Sequence, residues 1–135
     1  MLTKFRSLFS KAEPLPNAPE ASVPAGQRVY AIGDIHGRLD LFDLLLDAIH
    51  KDSAARGPAD TWLVLLGDLV DRGPDSRGVV ERAMQLAEGG KLRVLAGNHE
   101  EMLLGSMTDK ETLRHFLRHG GKETLFSYGL TFEEY

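Results

Sequence analysis

The chain has 135 residues, with 16 Lys and Arg against 20 Asp and Glu, five His and no Cys. That length suits one modest domain, and the missing Cys excludes disulfide frameworks, thiolate zinc sites and cysteine nucleophiles. A net charge of −4 argues against a dedicated nucleic-acid binder, and no apolar run nears the ~18 residues that cross a bilayer.

At 42% apolar residues the chain can build a core. A cysteine-free chain fits a reducing compartment, and the cytoplasm is the expected location. Residues 1–27 read as a tail. Leu2, Phe5, Leu8 and Phe9 have helical spacing beside Lys4, Arg6 and Lys11. Pro14, Pro16, Pro19 and Pro24 then hold the chain extended, because proline removes a donor and keeps its predecessor out of the helical region.

From Arg28 onward strands and helices alternate, and residues 28–135 are expected to form the folded part. Arg28–Ile32 is short, β-branched and aromatic. Leu39, Phe42, Leu45, Leu46 and Ile49 follow at helical spacing, with Asp40, Asp43 and Asp47 on the other face. Thr61–Leu66 is nearly continuous apolar sequence, the pattern of a strand covered on both faces. Val79, Val80, Ala83, Met84 and Ala87 mark a second helix that Gly89 and Gly90 stop. Leu92–Ala96 is a third strand, and helical sequence broken at Gly105 and at Gly120-Gly121 completes the pattern. The order β-α-β-α-β-α predicts a parallel sheet with right-handed crossovers. Ligands then bind beyond the carboxyl ends of the strands.

Each strand runs into a glycine and then a polar residue: Gly33-Asp34-Ile35-His36-Gly37, Gly67-Asp68-Leu69-Val70-Asp71-Arg72-Gly73 and Gly97-Asn98-His99-Glu100. Parallel strands would bring Asp34, His36, Asp68 and Asn98 to one crevice. Two carboxylates, an imidazole and an amide oxygen suit Mn, Fe or Zn, and also Mg. The clustered acids repel one another without a cation, and a metal pair about 3.5–4 Å apart with one bridging aspartate would relieve this.

These three segments resemble the signatures of the metallophosphoesterase (calcineurin-like) superfamily. The Asp-Arg-Gly of the second and the glutamate of the third resemble its phosphoprotein phosphatase branch, which includes bacterial Ser/Thr protein phosphatases and symmetrical diadenosine tetraphosphatases. The resemblance covers about residues 28–128. It implies that Asp34 and His36 bind a first metal, that Asp68 bridges two, and that Asn98 binds the second and meets substrate. It implies that Arg72 holds phosphate oxygens, that His99 protonates the leaving oxygen, and that Asp71 orients His99. It implies in-line attack of a metal-bound hydroxide, with two divalent ions, Mn first and Fe or Zn as alternatives. The expected activity is Ser/Thr phosphoprotein hydrolysis. The alternatives are hydrolysis of a symmetrical dinucleoside tetraphosphate, or a non-catalytic half-domain that binds metal or phosphate. The expected partner is a phosphoprotein or a phosphorylated small molecule.

Other polar residues have plainer readings. Gly73-Pro74-Asp75-Ser76 is a helix start, and Glu100 is structural. His115 and His119, flanked by Arg114 and Arg118, belong to a solvated helix face, and His50 to a helix end where it meets terminal carbonyls. The resemblance also implies a four-layer α/β/β/α sandwich with two further histidine ligands on later strands. On that reading the chain is the N-terminal part, with the second sheet absent and one sheet face or edge uncovered. A downstream half or a partner chain would complete it.

Overall fold

The computed structural model describes residues 22–131. The expected tail lies outside the described residues as far as residue 21. The elements are β1 (Gln27–Ile32), α1 (Leu39–Ala55), β2 (Asp60–Leu65), α2 (Ser76–Glu88), β3 (Leu92–Val94), α3 (Asn98–Ser106), α4 (Lys110–Phe116), a π-helical turn (Leu117–Gly121) and α5 (Lys122–Ser127). The strands form one parallel sheet in the order β1-β2-β3, with Ile32 beside Leu65 and Leu65 beside Val94. Crossovers of one hand in a sheet that grows in one direction lay their helices on the same face.

That face holds the core. Ile32, Leu65 and Leu92 from the strands pack with Phe42 of α1 and with Val79 and Ala83 of α2. Ile35, Leu69 and Val70 close it at the carboxyl end. Leu39, Leu46 and Ile49 add to the α1 contribution. Leu45, expected on the same stripe, is instead 43% exposed. Asp43, expected on the solvent face, turns toward α2 and pairs with Arg82 at 2.9 Å. The buried stripe of α1 is therefore narrower than its apolar sequence.

The other sheet face departs from the expectation for Thr61–Leu66. Side chains alternate across a strand, so Trp62 and Val64 face away from the Leu63–Leu65 side. Among the described residues no layer covers them. Val29 is 42% exposed, Leu66 50% and Leu95 51%. Lys91 and Arg93 lie over the Trp62 ring, each 4.8 Å from its centroid. An unbroken apolar run records two faces that favour burial, but says nothing about which layers cover them.

Three smaller differences concern boundaries. β3 ends at Val94, two residues early, because the chain turns toward Gly97 after one more backbone bond, Leu95 N to Leu65 O at 2.9 Å. Gly105 lies inside α3. The break follows it, and Asp109 caps α4 by accepting from Thr112 N at 2.6 Å. His50 is not at a helix end, since α1 continues to Ala55. The carbonyls there are met by Arg28, which donates to Ser53 O at 3.0 Å and Gly57 O at 3.2 Å. Gly89 caps α2 as expected. No helix among the described residues is long and apolar enough to cross a membrane.

Candidate active site

The three glycine-led loops meet beyond the carboxyl ends of the strands. The first is tied to the second through backbone bonds: Ile35 N and His36 N both donate to Asp68 O, at 3.0 and 2.9 Å, and Gly37 N to Leu69 O at 2.8 Å. The second touches the third so closely that a Cβ on Gly67 would stand 2.4 Å from Gly97 N. Only glycine permits that approach.

Backbone strain concentrates here. Among the described residues the non-glycine positions with positive φ are His36 (46°), Asp68 (53°), Asp71 (74°) and Arg72 (70°). Each costs roughly 1–2 kcal/mol against ordinary backbone. All four are candidate site residues from the sequence, and strain persists only where surrounding structure over-determines it.

Glu100 supplies much of that determination. Its carboxylate accepts from Asp68 N at 2.7 Å, Leu69 N at 2.8 Å and Gly97 N at 2.8 Å. The structural reading of Glu100 holds, and its position three residues after Gly97 is the sequence signal for it.

His36 presents a free nitrogen to the crevice. Its Nδ1 lies 2.8 Å from Val70 O, which can only accept, so Nδ1 carries the proton. Nε2 is buried with no hydrogen-bond partner, and Asp34 Oδ2 stands 3.7 Å from it. Ligand atoms of His36, Asp68 and His99 all lie within 4.8 Å of one another. An orphaned buried acceptor costs about 1–3 kcal/mol, and a divalent cation would satisfy it. A backbone bond that fixes the imidazole tautomer is characteristic of metal-ligating histidines. The free Nε2 of His36, with the Asp34 and Asp68 carboxylates, fits a metal.

His99 differs from His36. Arg72 Nη2 lies 2.9 Å from His99 Nε2. A guanidinium has no acceptor, so Nε2 accepts. The ring proton is then on Nδ1, which donates to Asp71 Oδ2 at 2.7 Å. Both nitrogens of His99 are engaged, and of the two imidazoles only His36 offers a free lone pair. The rings meet edge to face, 4.7 Å between centroids.

Asp71 is completely buried, and its other oxygen accepts from the Thr124 hydroxyl at 2.6 Å. Ser76 also turns inward, to Asp71 N at 3.0 Å, while Asp75 caps α2 by accepting from Gly78 N at 2.7 Å. Asp75 and Ser76 together predict a helix start, and no local sequence signal marks Ser76 or Thr124 as neighbours of Asp71.

Asn98 opens α3 beside these groups and is exposed, and the Asp34 side chain is mostly exposed too. Arg72 lines a cleft of about 720 Å³ with Arg38, Asp40, Asp43 and Asp75. On its rim Arg38, 2.7 Å from Asp40, holds that carboxyl down at about 2. His115 and His119 are exposed with rings 4.0 Å apart, on the solvated face expected of them. Chemically, the crevice offers a free imidazole nitrogen and carboxylates that a divalent cation would satisfy, beside the Arg72 guanidinium and a histidine whose proton position is fixed.

The family model for the calcineurin-like phosphoesterases matches residues 27–133, and the chain belongs to that family. The symmetrical bis(5'-nucleosyl)-tetraphosphatase of Ralstonia nicotianae is 42% identical over 84 residues, 62% of this chain and 25% of the relative. The protein of the same name from Nitrosococcus oceani is 37% identical over 106 residues, 74% of this chain and 36% of the relative. Serine/threonine-protein phosphatase 1 of Salmonella typhimurium is 33% identical over 95 residues, 70% of this chain and 39% of the relative. The chain thus spans between 25% and 39% of these curated relatives. No solved structure matches it.

Proposed function

We propose that the protein carries the metal- and phosphate-binding half of a phosphoester hydrolase, with symmetrical dinucleoside tetraphosphates as its substrate class. The observation that carries the hydrolase reading is the coincidence of strain and motif. His36, Asp68, Asp71 and Arg72 hold left-handed backbone around one unpartnered imidazole nitrogen. The substrate class rests on the tetraphosphatase relatives, at 42% and 37% identity. A phosphoprotein substrate, the first expectation from the sequence, is the second reading. It is favoured by the Salmonella phosphatase, which matches 70% of the chain.

Asp34, His36, Asp68 and Asn98 would hold two divalent ions, with Mn the first choice. When bound, such ions neutralise phosphate charge and supply a nucleophile at neutral pH. Arg72 would take two phosphate oxygens in its planar fork. Doing so draws the guanidinium off His99 and frees Nε2. Nε2 can then take up a proton from water, giving an imidazolium whose Nδ1 proton Asp71 holds, and pass that proton to the leaving oxygen. We read the open sheet face as the seat of a further layer, from a longer chain or a partner, that would bring the remaining ligands.

Two measurements test this. Calorimetry with Mn should show binding to the chain that Asp68→Ala loses, and undiminished binding by that variant overturns the metal assignment. Turnover of diadenosine tetraphosphate against a phosphoserine peptide, in a form extended to the relatives' length, decides the substrate. Faster peptide hydrolysis would put the second reading first.

A further inference from the structure

The clearest structural support for the Asp71–His99 pair comes from a segment that lies outside all three glycine-led loops. Thr124, in α5, is 53 residues from Asp71 and is buried. Its hydroxyl has one proton and two acceptor sites, and all three are used. The proton goes to Asp71 Oδ1 at 2.6 Å. One lone pair accepts from Asp71 N at 2.8 Å. Since the Thr124 proton is committed, Ser76, 3.0 Å away, must be the donor to the other. Directions in this chain are therefore fixed: Ser76 to Thr124, Thr124 to Asp71, and His99 to Asp71.

The same segment grips the next residue. Gly120 O accepts from Arg72 N at 3.0 Å. Gly120 has φ 103°, and a Cβ there would stand 2.7 Å from Arg72 N. So the amides of two of the left-handed residues, Asp71 and Arg72, are both satisfied by residues 120–124. The carboxylate that holds His99 is itself held at its second oxygen by this segment.

We propose that Thr124 is a positioning residue for proton transfer. Its hydroxyl fixes the Asp71 carboxylate so that Oδ2 keeps the His99 proton on Nδ1 and directs Nε2 toward Arg72 and the substrate. The proposal rests on the phosphoesterase reading for its catalytic consequence, but not for its structural claim. Valine in place of Thr124 keeps the shape and removes the hydroxyl. Asp71 Oδ1 is then left without its donor in a dry site, and the carboxylate can turn away from the imidazole.

The test has an arm that needs no turnover. In the 135-residue chain labelled with ¹⁵N-histidine, His99 should show an exchange-protected Nδ1 proton and an unprotonated Nε2. Thr124→Ser should keep both. Thr124→Val should lose the protected proton, with the Trp62 indole signal at the far end of the sheet unchanged. A protected Nδ1 proton in Thr124→Val overturns the proposal. If Thr124→Val does not fold, Thr124→Ala against Thr124→Ser decides, and failure of serine to restore the protected proton overturns it. In an active extended form, kcat of Thr124→Val should fall roughly 10–100-fold with KM little changed. The loss should be larger for an alkyl than for an aryl phosphate, and Thr124→Ser should recover most of it. Equal loss on both substrates, or none, overturns the catalytic part. A wild-type protein that turns over neither substrate would sink the proposed function, and the histidine spectra would still decide the placement of Thr124.

Discussion

The two ends of the sheet use polar side chains in opposite ways. At the amino end Arg28 meets Ser53 and Gly57, Tyr30 and Arg56 both donate to Asp52, at 2.5 and 2.7 Å, and Lys91 and Trp62 both donate to Asp60. These pairs are largely exposed and sit on relaxed backbone. At the carboxyl end Asp71, His99, Ser76 and Thr124 are buried, and Asp71 is held in a left-handed conformation. Exposed pairs trade one set of water contacts for another and contribute little. Buried ones leave a stranded partner whenever one member is removed. The first end should tolerate change gradually, and the second should fail as a unit.

The contrast can be broken most sharply at His99. His99→Asn should keep metal bound and slow turnover of an extended form by ~10²–10⁴-fold, with a smaller loss on an aryl phosphate than on an alkyl one. Equal losses would remove the leaving-group role. Next comes Asp71→Ala, which strands His99 Nδ1–H and the Thr124 hydroxyl in a dry site. It should cost about 3 kcal/mol in urea unfolding, at ~1–3 kcal/mol per stranded group. A cost below half of that would mean water reaches the network.

At the amino end Arg28→Ala should cost only about 1 kcal/mol by the same measurement, since the freed carbonyls can turn to water. The smallest effect concerns acid. Arg56, and then Tyr30, hold the Asp52 carboxyl below its ordinary range. A depressed carboxylate stabilises the fold above the unfolded value and loses that contribution as pH falls through the folded one. Wild type and Arg56→Ala should therefore differ slightly in unfolding midpoint at pH 7 and converge in strong acid. A difference that persists or grows in acid would place the effect elsewhere.

How much of this was legible follows from the range of each signal. Gly67-Asp68 and Gly97-Asn98 announce sharp turns at strand ends, and alternation of strand and helix brings those ends together. Local sequence suffices for both. Thr124 carries no such sign, because a hydroxyl that serves a carboxylate 53 residues away looks like any polar residue in a short helix. Leu45 and the Thr61–Leu66 run mislead for a different reason. Apolar periodicity reports what could be buried, while burial depends on layers that other residues supply. Asp75 and Ser76 share one turn signal, yet one caps a helix and the other enters the core.

The left-handed residues set stability against function. At Arg72, exposed and at φ 70°, glycine would relax the backbone at once. Arg72→Gly should therefore gain up to about 1 kcal/mol while discarding the proposed phosphate anchor. A library screened for heat resistance alone would drift toward glycine there. One screened for turnover would hold arginine and accept a lower melting temperature. Comparing the two enriched pools would show which contorted positions are kept for chemistry.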